Sequence, residues 1–159
     1  MFHQIFIIDQ KGWSLQMLGN GYVFLGIFSI IGLLLGGPLV DKFDTKKTAI
    51  TCLVPLLLLL VVLISFEGEF FLIIYMSLHG LTLGIGRPFI GSLWAEIYGV
   101  ESLGTVKALL HAAAVFASAL SPLVFGYLID WGFSITTIVT ISILIIIVST
   151  LLPIYNKLP

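Results

Sequence analysis

Apolar residues run through this chain in five long blocks separated by short polar breaks. The blocks extend from about Leu15 to Val40, Thr48 to Phe66, Phe70 to Trp94, Thr105 to Ile129 and Phe133 to Tyr155. A helix that crosses a bilayer needs about 20 consecutive, mostly apolar residues, and each block approaches or exceeds that length. The breaks read DKFDTKK, EGE, AEIYGVESLG and DWG. A transmembrane β-barrel would instead show segments of about ten residues with alternating polarity. Runs such as LVPLLLLLVVLI do not alternate. The pattern predicts an all-α, polytopic membrane bundle of five transmembrane helices, forming one domain over residues 1–159.

The five blocks are of two kinds. In the second and fifth, Leu53–Ile64 and Ile138–Leu152 contain neither glycine nor an ionisable group. The other three carry small and polar residues at helical spacing. The first has Gly26, Gly32 and Gly36, and the third has Tyr75, His79, Gly80, Gly84 and Pro88. The fourth has Lys107, His111, Ala114, Ser118 and Ser121 at steps of three and four, a stripe along one face. Small residues let helices approach closely in lipid, and polar ones turn toward protein or a wet cavity. The expectation is an interior built by the first, third and fourth helices, with the second and fifth as outer supports.

Composition agrees with a lipid solvent. Hydrophobic residues make up 59% of the 159 residues and charged residues 9%, with a mean hydropathy of +1.18. Soluble domains are about 45–50% apolar and about 25% charged. A net charge of -1 leaves nothing to neutralise a run of phosphates, which excludes a nucleic-acid partner. The single cysteine, Cys52, lies in an apolar run and forms neither an internal disulfide nor a spaced metal-ligand set. It reads as a buried, inert thiol. The N-terminal FHQIFII is too short and too lightly charged for a secretory signal.

Charge also sets the orientation. Five helices put Lys42, Lys46, Lys47, Arg87, Lys107 and Lys157 on one side and only Lys11 on the other. Basic residues accumulate in cytoplasmic loops, so the N-terminus is expected outside and the C-terminus in the cytoplasm. The acids show no such bias, in keeping with a rule that counts cations. An outside N-terminus without a signal peptide would make sense if a helix preceded this chain. Trp13, Trp94 and Trp131 fall at block ends, where interfacial aromatics belong.

The break after the first block is the densest in charge: five of the twelve residues in GGPLVDKFDTKK are ionisable. It reads as a tight cytoplasmic turn, in which Gly36 and Gly37 permit close packing and Pro38 discourages the helix from continuing. Three lysines hold it on the cytoplasmic side. The order of residues also resembles the loop signature of the major facilitator superfamily, Gly-x-x-x-Asp-(Arg/Lys)-x-Gly-(Arg/Lys)-(Arg/Lys). Gly37, Asp41, Lys42, Lys46 and Lys47 match or nearly match, while Asp44 and Thr45 depart from it. That erosion is typical of the copy after the eighth helix. The stretch from Arg87 to Gly132 resembles helices ten and eleven of bacterial members, with Tyr98-Gly99 in the loop between them, and FHQ at residues 2–4 resembles the outer end of helix seven.

The resemblance implies that the five blocks correspond to helices eight to twelve, most of the C-terminal half of a transporter. The family's helices nine and twelve lie outermost, which coincides with the two greasy blocks, and its topology agrees with the lysine bias. It also implies a small-molecule substrate held near the bilayer midplane between two halves that rock. On that reading Tyr75 and His79, one turn apart near mid-membrane, are candidates to bind substrate or carry a coupling proton. A neutral histidine bonded to a neighbouring helix is the alternative. His111, one turn from Lys107, has the same two readings. Arg87 and Lys107 either attract an anionic substrate or snorkel to the cytoplasmic interface. Asp130, in the repeated Gly126-Tyr-Leu-Ile-Asp130 spacing, reads as a turn cap. The sequence shows no metal cluster, phosphate-binding glycine loop or nucleophile–base pair, and no cofactor is expected.

Three functions compete: the C-terminal half of a gradient-driven solute transporter in the cell membrane, a non-transporting membrane interaction module, and an integral membrane enzyme. The first leads, with lipid, a small solute and a separately encoded N-terminal half as its expected partners. The third is disfavoured because the cytoplasmic breaks lack paired acids or a Cys/His centre.

Overall fold

The computed structural model describes the backbone of residues 4–43 and 45–155, and the side chains within these except residues 45–49 and 150–155. Within them the chain is helical throughout. Six helices follow in order: α1 (Gln4–Lys11), α2 (Leu15–Lys42), α3 (Thr45–Ser65), α4 (Phe70–Tyr98), α5 (Leu103–Asp130) and α6 (Ile135–Tyr155). Helices α2, α4 and α5, of 28, 29 and 28 residues, are long and apolar enough to cross a membrane. At 1.5 Å per residue they reach about 42 Å, beyond the hydrocarbon thickness of about 30 Å. Shorter apolar helical stretches, Ile50–Ser65 and Ile135–Ser149, lie within α3 and α6.

Local chemistry sets the boundaries. Gly12, at φ 66°, turns the chain between α1 and α2. Ser14 then caps α2, its hydroxyl accepting the Met17 N–H at 3.2 Å. Gly99 at φ 75° and Gly132 at φ 81° end α4 and α5, a backbone region closed to most other residues. Ser134 repeats the Ser14 cap at the start of α6, accepting from the Thr137 N–H at 3.2 Å. Hydroxyls inside the helices bond back along their own turn: Ser77 to the Ile73 carbonyl at 2.8 Å, Thr82 to Leu78 at 2.9 Å and Ser142 to Ile138 at 2.9 Å. Such groups need no water, which suits a lipid surround.

The tightest packing joins α2 to α4. Gly32 faces Gly84, and a methyl group added at Gly32 would lie 2.8 Å from the Leu81 carbonyl oxygen and 3.1 Å from the Gly84 Cα. Gly36 meets the Pro88 ring and the Ile85 backbone, while Gly80 and Gly84 sit against the backbone of Leu25 and Ser29. Four glycines thus replace side chains with backbone-to-backbone contact, the attraction on which helix association in lipid depends. Helix α3 packs on α4, and α6 rests on α3. Met76, fully buried, sits in a core with Leu63, Leu72, Tyr75 and Trp13.

Several sequence expectations change. The first block does not end at Val40: α2 runs through Pro38 to Lys42, so Asp41 and Lys42 lie in its last helical turn rather than in a loop. Proline costs a helix one hydrogen bond and a steric clash. The 28-residue rod, interlocked through Gly32 and Gly36, absorbs both. Phe43 ends α2 in extended conformation, with its N–H on the Leu39 carbonyl at 3.0 Å. Gly37 has open space beside it and makes no close approach; Gly36 does. The third block extends to Tyr98, which places Trp94 inside α4, against Tyr98. Helix α1, absent from the five-block reading, is too short to emerge from a hydropathy pattern. The fourth block departs furthest: α5 contains no buried residue and touches α4 only lightly, and it meets the bundle through half-buried Ser121, Phe125 and Ile129.

Candidate functional site

Tyr75 and His79 occupy successive turns of α4, their rings edge-to-face with centroids 6.1 Å apart. His79 lies about 14 Å along the helix axis from Phe70, close to half the thickness of a bilayer core. Tyr75 is 7% exposed and belongs to the core. His79 is half-buried, and its Nδ1 is buried without a hydrogen-bond partner. An unpaired buried nitrogen is costly.

Gln4, quoted above only within FHQ, and Tyr22, which the sequence did not single out, join this region. Gln4 of α1 is 6% exposed. Its Oε1 accepts a hydrogen bond from the Tyr22 hydroxyl of α2 at 2.6 Å. Gln4 also lines the same cavity as Tyr75, so α1, α2 and α4 bring amide, phenols and imidazole into one neighbourhood. Gln4 and Tyr22 are 18 residues apart on different helices. Their separate polarity was readable, but not their contact.

The remaining candidates lie toward the opposite end. Arg87 is exposed on α4, one turn before Gly91. Lys107 is exposed on α5, yet its Nζ comes within 3.9 Å of where a Gly91 side chain would begin. Lys107 therefore reaches α4 at Gly91, one helical turn beyond Arg87. His111 stands one turn further along α5, within residues 111–120, all of which are exposed. The structure groups Tyr75 with His79, brings Lys107 to α4 at Gly91, and leaves Arg87 and His111 exposed.

In the charged stretch, Gly37 is half-buried, and Asp41 and Lys42 are exposed at the end of α2. The Lys42 ammonium lies 5.9 Å above the Phe43 ring. The side chains of Lys46 and Lys47 lie outside the described residues.

The opposite end is clasped. The Trp13 indole N–H donates to the Glu67 carbonyl at 2.6 Å, the Ser14 N–H to the Glu69 carboxylate at 2.9 Å, and the Lys11 ammonium to the Phe66 carbonyl at 3.3 Å. Trp13 is 5% exposed and belongs to the core, beyond the interfacial role expected of it.

The helices, their apolar surfaces and the glycine-tight α2–α4 pair define a polytopic α-helical membrane protein. The family model for the Major Facilitator Superfamily matches residues 1–158. The chain belongs to that superfamily, whose members are transporters, and its function is of the transporter type. No curated protein and no solved structure matches it.

Proposed function

We propose that this chain works as the C-terminal half of a secondary transporter for a small solute, driven by an ion or counter-solute gradient across the cell membrane. The observation that carries the reading is α5. This helix bears Lys107, His111, Ser118 and Ser121, yet has no buried residue. Polar groups at membrane depth are expensive against hydrocarbon and are found facing protein or a wet cavity. A second half-bundle across from α5 would supply that surface, and the family's transport path runs between such halves. Tyr75 and His79 would face the solute or carry a coupling proton, and Arg87 and Lys107 would draw an anionic solute to the cytoplasmic side. Gly37, Asp41, Lys42, Lys46 and Lys47 would form the loop motif that governs rocking, with the N-terminus outside and the C-terminus in the cytoplasm.

The test is uptake by proteoliposomes across a panel of organic acids, sugars and drugs. The purified chain by itself is expected to give no saturable, gradient-driven uptake, and co-reconstitution with an N-terminal half-bundle is expected to restore it. Robust uptake by the 159 residues alone would refute the half-transporter reading.

A further inference from the structure

The hydrogen bonding of Tyr75 is set by two other helices. The Tyr22 hydroxyl of α2 donates to the Gln4 Oε1 at 2.6 Å. With its oxygen held there, the planar amide of α1 turns its N–H the other way, and that N–H donates to the Tyr75 hydroxyl of α4. Gln4 is 6% exposed, and its Nε2 has no other partner among the described residues. A phenol both accepts and donates, and its O–H lies in the ring plane on one side or the other. The Gln4 N–H occupies one side, so the Tyr75 proton is held to the opposite one. No described residue accepts it.

That proton has a cavity before it. Tyr75 is 7% exposed and lines a space of about 240 Å³ among α1, α3, α4, α5 and α6. Ser121, from the polar stripe of α5, lines it too, which makes this space part of the solute site proposed above. The remaining wall sorts solutes. Leu63, Phe125 and Val139 are apolar, and Ser142 spends its hydrogen on the Ile138 carbonyl at 2.9 Å. No described lining residue carries a carboxylate, ammonium, guanidinium or imidazole. An unpaired charge is costly to bury, and so is each unpaired hydroxyl of a sugar. An engineered apolar cavity of about 150 Å³ takes up benzene, so this larger space suits a bulkier apolar body.

We infer that Gln4 is a positioning residue, which with Tyr22 holds the Tyr75 hydroxyl as a donor to the solute. The part of the solute bound here is then an uncharged apolar body bearing one carbonyl oxygen. The inference rests on the reading of Tyr75 as a solute-facing residue and names the class of solute. Any anionic group of the solute stays outside this space, toward Lys107.

Camphor and bornane share one hydrocarbon cage and differ by a carbonyl group, and they serve as probes. The purified full chain in lipid nanodiscs is loaded with tritiated bornane, and its displacement by each unlabelled probe is measured against empty nanodiscs. Camphor should act at a roughly three- to tenfold lower concentration in the lipid phase, the advantage of one hydrogen bond. Tyr75→Phe should bring that ratio to about one. Gln4→Leu leaves the hydroxyl in place but frees it to turn, and should lower the ratio at least about twofold. In a Tyr75→Phe background Gln4→Leu should change the ratio no further. Tyr22→Phe, which releases the amide, should lower the ratio as well and serves if Gln4→Leu fails to fold. Weaker binding of both probes at an unchanged ratio in Gln4→Leu would make Gln4 a packing residue and overturn the inference. So would equal displacement by camphor and bornane in the unaltered chain, or no saturable displacement. The chain alone suffices for this measurement, so its result separates from transport. A camphor preference without uptake by the paired halves would uphold the site and sink the transporter reading, and uptake with equal displacement would do the reverse.

Discussion

Trp13 and Glu67 are 54 positions apart, yet the indole N–H of one meets the backbone carbonyl of the other at 2.6 Å. The contact pins the α1–α2 turn to the α3–α4 turn, and the indole ring fills the core beneath it. Trp13→Phe keeps most of the packing and is expected to cost about 1 kcal/mol, the net worth of one hydrogen bond. Trp13→Ala removes the ring as well and should cost about 3–5 kcal/mol. Reversible unfolding in mixed micelles measures both. Equal losses would mean that the hydrogen bond, and not the ring, holds the turns together.

Gly84 and Gly86 make a matched pair on α4. A methyl group at Gly84 would lie 2.7 Å from the Leu33 nitrogen and 2.8 Å from the Gly32 Cα, backbone atoms that cannot rotate away. One at Gly86 would meet nothing within 4 Å. Gly84→Ala should therefore destabilise the bundle by about 1–3 kcal/mol, the usual effect of overpacking. Gly86→Ala should be neutral or gain up to about 1 kcal/mol from helix propensity. The same unfolding assay decides, and indistinguishable variants would show that α2 and α4 are not interlocked at Gly84.

The membrane topology yields a labelling experiment. With Cys52→Ala as background, a cysteine at Gly68 should react with an impermeant thiol reagent in intact cells. One at Lys46 should react only after the membrane is opened. The reverse pattern would invert the orientation drawn from the lysines.

His79 invites a comparison of stability with transport. Its Nδ1 is buried and unpaired, so His79→Leu should hold or raise the stability of the isolated chain, by up to about 1–3 kcal/mol. In the complete transporter the same substitution should cut uptake at least about tenfold, an effect of about 1.4 kcal/mol on the rate-limiting barrier. Its amount in the membrane should be unchanged. Normal uptake would return His79 to a packing role.

The hydropathy pattern was enough to read the helical class, and Gly32, Gly36, Gly80 and Gly84, at one-turn spacing, marked the first and third blocks as faces open to close approach. Spacing shows where a helix is able to be approached, and not whether another arrives. Gly26 belongs to the same series as Gly32, yet nothing lies within 4 Å of a side chain placed there. The stripe on α5 shows the same limit: its small and polar residues mark a face without naming the surface it meets. Pro38 was read as discouraging the helix because local chemistry opposes its continuing undisturbed, and the long α2 rod carries it. The Tyr75–His79 pair was legible as neighbours on one turn. The Gln4–Tyr22 bond was not, since it depends on how α1 folds back on α2.

Helix α5 hangs between two glycines in left-handed conformation, Gly99 at φ 75° and Gly132 at φ 81°. No residue along its length is buried. Mechanically it is a door leaf on two pins, set beside a glycine-welded jamb of α2 and α4. Regions with few buried contacts open at low free energy and ahead of the whole molecule. In micelles the α5 amides should therefore exchange with deuterium well before those of α4, in a single cooperative step. The stiff pair would carry the load when the bundle tilts, and the hung leaf would accommodate whatever presses against it.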